Sequence, residues 1–288
     1  MFTLATDTSC DVMRNELDAL GIPWAPLTFT ISGETHPDDF TCDAQYKEFY
    51  DKVRAGAMPT TSQINSFVQE EFLEKIVAGG ANDIVYITLS SGLSATYESA
   101  CKAAQEVQAR HPDCKIHVVD SRGATQVTHM LLDDAIRLRD SGVSGEEAAK
   151  ILRAIPDKVH VLFMVDDLNH LRRGGRVSGV AAAIGTLLKI KPILTFDKAG
   201  KLHVVHKAKG VKKALEYICD EIAKRSPNVK EVYIAQGDAP EALADMTAML
   251  KERFGCEVKA GWCGPVIGAH TGAGILGMIF KSDLDRPL

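Results

Sequence analysis

Hydroxyl side chains, one late histidine and a short run of arginines are the residues of this chain whose spacing points to chemistry. Ser90-Ser91-Gly92-Leu93-Ser94 follows a strand-like apolar run, Ile84 to Leu89, and leads into a long stretch of good helix formers ending near Arg110. A strand that feeds a helix through a short Ser/Gly turn leaves hydroxyls and free backbone N–H groups at the helix N-terminus, where the macrodipole favours an anion. The same serines would also serve as ordinary helix caps. Gly92-Leu93-Ser94-Ala95-Thr96 comes close to the G-x-S-x-G nucleophile elbow, and the order Ser94, then Asp120 or Asp166, then His270 is that of α/β-hydrolases. Thr96 stands where that elbow needs glycine, and no HGGG-like oxyanion loop is visible. A Ser94/His270 esterase is thus the alternative to an anion-binding turn.

Other candidates weigh less. Gly272-Ala273-Gly274-Ile275-Leu276-Gly277 matches the dinucleotide fingerprint G-x-G-x-x-G, but too few residues follow it for the helix, second strand and ribose-binding acid that the motif requires. A nucleotide-binding regulator is therefore a third, weaker class. His203 and His206 are three apart on an expected strand, so they face opposite sides and do not share a metal; no metal ligand set is expected. Leu171-Arg172-Arg173-Gly174-Gly175-Arg176 reads as a basic turn, solvated by default and suited to a phosphate or an acidic surface. His270-Thr271 follows the apolar run Val266 to Ala269, read as extended; a structural histidine is the simpler use of it.

The elements that must position these residues alternate regularly in the first half. Expected strands over 2–6, 84–89 and 115–119 each end in polar turns, Thr6 to Asp11, Ser90 to Ser94 and Asp120 to Gly123. Helices are expected after them, together with one whose apolar stripe is Val68, Phe72, Leu73, Ile76 and Val77. Ile22 to Ile31 reads as one extended stretch pushed to an edge by Pro23 and Pro26, and Met58 to Gln63 as a polar turn. Alternation of this kind predicts a parallel sheet with helices on both faces, whose strand C-termini gather the polar turns at one edge. A helix over 144–155 opens with Ser144 and Glu147 in capping-box register and stops at Pro156. The domain boundary is placed there: 1–156 as an N-terminal α/β domain and 157–288 as a less regular C-terminal α+β domain.

Composition narrows the class. The 288 residues are 45% hydrophobic and 25% charged with a net charge of -5, an ordinary soluble balance that argues against nucleic acid as partner. The longest apolar run, Val177 to Leu188, is too short and too interrupted to span a bilayer. The N-terminus lacks a signal-peptide pattern. Seven scattered cysteines with no C-x-x-C pair fit reduced thiols and a cytoplasmic location.

Taken together, Thr6-Asp7-Thr8-Ser9-Cys10-Asp11, Thr61-Ser62-Gln63, Leu89 to Tyr97, Gly174-Gly175-Arg176, Lys189 to Leu194 and Gly268-Ala269-His270-Thr271-Gly272 resemble the DegV family of bacterial fatty-acid-binding proteins, some of which carry the lipid for a fatty acid kinase. The resemblance runs from end to end. It implies a ligand tunnel between the two domains and a non-catalytic role, with a long-chain fatty acid as ligand and no cofactor. It further implies a fatty acid kinase as partner, a monomer apart from that kinase, and no stable membrane insertion. Carried over residue by residue, Thr61, Ser94, His270 and Thr271 would hold the carboxylate, with Ser62 and Ser91 in support, and Arg176 would engage the kinase. Ile64, Ala95 and Ala273 depart from the family pattern and bear on acyl preference. Uncharged donors at the mouth, in place of a cationic clamp, would tolerate both the acid and its acyl phosphate.

Overall fold

One face of a six-stranded sheet stands across a cavity from a small antiparallel sheet and from loops that follow parallel strands. The computed structural model describes residues 1–177 and 190–287. Lys189, and the apolar run beyond Val177, lie outside the described residues.

In the N-terminal region β1 (Thr3–Asp7), β2 (Trp24–Ala25), β6 (Asp83–Thr88) and β7 (Lys115–Asp120) form an all-parallel sheet in the order β2-β1-β6-β7. Alternation decides its two faces. Ile84 and Tyr86 pack with Leu73 and Ile76 of α3 (Ser66–Ala78) and with Ala100, Ala103 and Val107 of α4 (Thr96–Arg110). Val85 and Ile87 pack with Leu17 of α1 (Arg14–Ala19), Leu131 and Ala135 of α5 (Gln126–Asp140) and Ala148 and Leu152 of α6 (Gly145–Ala154). Ser144 caps α6 by accepting from the Glu147 N–H at 3.3 Å. A parallel sheet covered on both faces is the layout expected from the alternating pattern.

Between β2 and β6 the chain differs from the sequence reading. Ile22 to Ile31 is not one strand: Pro26 separates β2, at the edge of the parallel sheet, from β3 (Thr28–Ile31), the centre of a small antiparallel sheet in the order β4-β3-β5. Its partners are β4 (Glu34–Pro37) and β5 (Thr60–Ser62). Thr61-Ser62 is therefore strand, with Phe29 opposite Thr61, and not the expected turn. Backbone pairing across the chain overrode a polar sequence that carries no period-2 hydrophobic signal. Helix α2 (Asp43–Arg54) buries Tyr46, Phe49 and Tyr50 behind this sheet.

The C-terminal region is a mixed six-stranded sheet in the order β10-β9-β8-β13-β11-β12, of β8 (Val159–Met164), β9 (Ile190–Phe196), β10 (Leu202–Lys209), β11 (Glu231–Gln236), β12 (Glu257–Trp262) and β13 (Leu276–Lys281). Among the described residues of these strands, β11 and β12 pair in parallel and the other neighbours antiparallel. Its outer face, with Leu162, Met164, Ile234 and Met278, is covered by α8 (Val211–Arg225) and α9 (Pro240–Phe254). Its inner face, with Val161, Phe163, Leu194, Ala235 and Ile279, turns toward Val127 and Met130 of α5.

Two further expectations are corrected. Pro265 to His270 is not extended but a helix, α10 (Pro265–Thr271), started by Gly264 and a proline in its first turn, where the missing N–H is no loss. The basic stretch from Leu168 begins as a short helix, α7 (Asn169–Arg173), before Gly174 and Gly175 turn the chain. Among the described residues no helix is long and apolar enough to cross a membrane, and no group of His, Cys, Asp and Glu side chains is arranged to hold a metal. His203 bonds Asp197 and His206 stacks flat on Tyr217, so the two histidines serve separate neighbours.

Candidate functional site

The polar turns at the strand ends divide into two fates. After β1, Asp7 accepts from the Ser9 N–H and hydroxyl and from the Leu89 N–H at 2.8 Å, so it ties two strand ends together while fully buried. Thr8 accepts from the Leu27 N–H at 2.9 Å. Arg14 pairs with Asp38 at 3.3 Å, both buried, and donates to the Thr8 carbonyl. Burial raises the carboxyls of Asp7 and Asp11 and pushes that of Asp38 up to about 6. After β7, Asp120 accepts from the N–H and hydroxyl of Ser91 and from the Arg122 N–H. Apart from the Asp11 carboxylate, whose buried oxygens have no partner among the described residues, these groups are spent on the scaffold. Ser91, expected to support a head group, gives its hydroxyl to Asp120 and is not among the residues lining the cavity between the two sheets.

That cavity lies between the inner face of the six-stranded sheet and the β5 and pre-α4 segments of the N-terminal region. It holds about 800 Å³ of atom-free space, its open mouth included. Val161, Phe163, Phe196, Ala235, Ile275 and Ile279 line it from the C-terminal side, and Leu27, Leu89 and Leu93 from the other. Most of the surface is hydrocarbon.

Its polar side chains come from elements distant in sequence. Thr61 of β5 meets His270 of α10, Oγ1 to Nε2, at 2.8 Å. His270 in turn presses on the glycine turn: a Cβ on Gly174 would lie 2.1 Å from its Nδ1, so only glycine lets the backbone lie there. That turn delivers Arg176 into the cavity lining, where its Nε donates to the Leu93 carbonyl at 3.0 Å and its Nη1 to the Gly174 carbonyl. Next to Leu93, Ser94 shares a hydrogen bond with the Thr96 hydroxyl at 2.9 Å and accepts from the Thr96 N–H. Thr271 also lines the cavity but donates its hydroxyl back to the Ile267 carbonyl at 3.1 Å. Ser62, Gln63 and Thr125 complete the polar lining.

Electrostatics fix the state of the histidine. Burial, then the positive charge of Arg176, pushes His270 down to about 4 from its ordinary 6.5. It is a neutral imidazole at pH 7, able to donate or accept one hydrogen bond on the side of Thr61. No carboxylate among the described residues bonds it: Asp120 holds Ser91 and Asp166 accepts from Lys191 at 2.7 Å. The Ser-His-acid relay of a hydrolase needs its base oriented by such a carboxylate, and Ser94 is held by Thr96 rather than by His270.

The structure therefore brings Thr61, Ser62, Ser94, His270, Thr271 and Arg176 to one cavity and leaves Ser91 outside it. The expectation of a mouth free of cationic groups is corrected, because the Arg176 guanidinium lines the same space. With Nε taken by Leu93, however, the side-on fork that arginine uses to clamp a carboxylate is occupied. Sequence reasoning missed Thr96 as the partner of Ser94, Gly174 as the seat of His270, and Arg176 as a lining residue. The paired glycines before Arg176 were the available signal.

A model of the DegV family, described as "Uncharacterised protein, DegV family", matches residues 1–283. A DegV domain-containing protein of Clostridium perfringens is 37% identical over 289 residues, which covers 99% of each chain. A solved DegV family protein from Thermus thermophilus, described by its fatty acid binding, is 30% identical over 98% of this chain and 99% of its own, with a TM-score of 0.84. The Streptococcus pneumoniae Fatty Acid Kinase (Fak) B3 protein, solved loaded with linoleic acid, has the same fold at 24% identity, covering 98% of this chain and all of its own, with a TM-score of 0.85. The chain belongs to the DegV family.

Proposed function

We propose that the protein is a non-catalytic carrier that binds a long-chain fatty acid in this cavity and presents the carboxylate to a fatty acid kinase for acyl-phosphate formation. The observation that carries the reading is an apolar cavity with hydroxyl, imidazole and guanidinium groups along it, contributed by separate elements and, among the described residues, with no hydrolytic relay.

The chemistry suits that ligand. Burying roughly fourteen methylenes at about 0.8 kcal/mol each gives about 11 kcal/mol before the loss of translational and tail freedom is subtracted. Hydrogen bonds to the charged head add about 1.5–3 kcal/mol each. The tail supplies most of the affinity, and the polar groups decide which end faces out. Thr61 and His270 bond the carboxylate from one side, Ser94 from the other. Ser94 can give its proton to the ligand because the Thr96 hydroxyl is free to donate to it in exchange. Ser62 and Thr271 complete the pocket, Thr271 chiefly as a shaped wall, since its proton is already used. Arg176 supplies charge without the side-on clamp. An acyl phosphate, larger and more anionic than the acid, is then held without a trapped carboxylate having to be released. The turn carrying Arg176, with Arg172 and Arg173 exposed beside it, is the part of the chain proposed to meet the kinase. We place the division between the two halves near Pro156.

Mass spectrometry of an organic extract of the purified protein tests the ligand: a co-purifying C14–C18 acid is expected. Delipidated protein with no measurable affinity for those acids overturns the proposal, as does covalent labelling of Ser94 by a fluorophosphonate with turnover of p-nitrophenyl esters. Acyl phosphate formed on the bound acid by a fatty acid kinase and ATP tests the second half, and its loss in Arg176→Ala at unchanged lipid content is expected.

A further inference from the structure

The floor of the cavity carries one gap. In the cross-strand row Leu194, Phe163, Gly277, Ala235, successive residues stand directly opposite one another on β9, β8, β13 and β11. The adjoining row, Val161, Ile279, Tyr233, is bulky throughout. Along β13 itself Gly277 lies between Ile275 and Ile279, two residues to either side and on the same face. All of Phe163, Gly277, Ala235, Ile275 and Ile279 line the cavity. Gly277 is therefore a bare patch walled by an aromatic ring on one side and isoleucines fore and aft.

The space above that patch belongs to the cavity. A Cβ built on Gly277 would meet Phe163 Cβ at 3.1 Å, Ala235 Cβ at 3.9 Å and the Ala235 carbonyl at 4.0 Å, and nothing nearer from the facing region. The strand does not demand glycine for its own conformation, since Gly277 is not among the residues with positive φ. A β-branched side chain suits a strand at this point. Its Cβ would have only the Phe163 Cβ contact to relax, and the branch beyond it would take up cavity space. No polar side chain stands in the Leu194 to Ala235 row, so a change there acts on the hydrocarbon portion of a ligand.

We propose that Gly277 is a specificity-determining residue: the notch it leaves beside Phe163 lets an acyl tail cross the row, and the side chain at position 277 sets the longest tail accepted. The inference rests on the fatty-acid reading above. Because each methylene kept out of an apolar site weakens binding roughly fourfold, a side chain at 277 changes the slope of affinity with chain length. It does not change affinity uniformly.

The test is a series of saturated acids from C10 to C18 titrated into delipidated wild type, Gly277→Ala and Gly277→Val. Expected is a graded loss of at least tenfold for C18 in Gly277→Val, less in Gly277→Ala, with C10 and C12 unchanged. Phe163→Leu widens the same notch and moves the preference toward longer acids, which keeps the proposal testable should Gly277→Val fold poorly. Equal weakening at every length in Gly277→Val, or an unchanged length profile in all three variants, overturns the role of Gly277 while leaving fatty-acid binding intact. Wild type that binds none of the acids sinks the underlying reading, and this inference with it.

Discussion

The turns after β1 and β6 begin from nearly the same ingredients and end as opposites. Thr6 to Asp11 and Ser90 to Thr96 are both rich in hydroxyls at the C-terminal ends of neighbouring parallel strands. The first is closed at Asp7 and Arg14, since Asp7 is consumed by two backbone N–H groups and the Ser9 hydroxyl and Arg14 is buried on Asp38; in that turn only the buried Asp11 carboxylate is left without a partner among the described residues. The second is open at Ser94, whose bond to Thr96 leaves one side facing the cavity. What separates them is what lies opposite. Leu27, Asp38 and Phe40 close over the first turn, whereas the β9–β10 hairpin meets the second at Ser90 and Gly92 and leaves Ser94 beside the cavity. A polar strand end becomes a site when its partners are left incomplete toward a cavity.

That contrast predicts a hierarchy of effects. Removing the cation from the closed turn comes first: Arg14→Met strands Asp38 and should lower unfolding free energy by about 3–5 kcal/mol. Urea denaturation checks this, and the acyl composition of whatever lipid is retained should not change. A loss below about 1 kcal/mol would break the comparison, because the first turn would not be the structural one.

Next in size is a pH effect confined to the open side. His270 is held near 4 by burial and by Arg176, so between that value and 6.5 only the unfolded chain binds its proton. The stability it contributes is complete above pH 6.5 and is lost as pH falls from 6.5 through 4, about 3 kcal/mol in all. The raised carboxyls of Asp7, Asp11 and Asp38 work in the opposite direction at low pH, so the measurement is a difference. The gap in melting temperature between pH 7 and pH 4.5 should be larger in wild type than in His270→Gln.

Thr61→Val should weaken fatty-acid binding by about tenfold, the worth of one hydrogen bond to a charged head group, and lower unfolding free energy by about 1 kcal/mol through the lost bond to His270. Calorimetric titration beside a urea curve separates the two quantities. Smallest is Ser91→Ala. Its bond to Asp120 is one of three that carboxylate accepts, so about 1 kcal/mol of stability should go and lipid affinity should not. A drop in affinity there would move Ser91 back into the site.

Much of the first region was legible because local rules and tertiary demand agree in it. Strands of branched apolar residues ending in Ser, Asp and Gly, with amphipathic helices between them, leave little choice but a covered parallel sheet. Thr60–Ser62 and Pro265–Thr271 were misread for the same reason in reverse. A three-residue polar strand exists only because β3 lies beside it, and Val266 to Ala269 looks extended until Gly264 and Pro265 are seen to start a turn of helix.

The sequence alone determined the parallel core, the polar strand ends and, through its motifs, the resemblance to the DegV family, because these depend on residue types and short spacings. Only the tertiary structure decided that Thr61 meets His270 across more than two hundred positions of chain, that Gly174 yields its side chain to the imidazole, and that Ser91 faces Asp120 instead of the cavity. A hydroxyl's role depends on what stands within 3 Å of it. Which groups come that close is settled by the packing of two sheets against each other, and no local pattern encodes it.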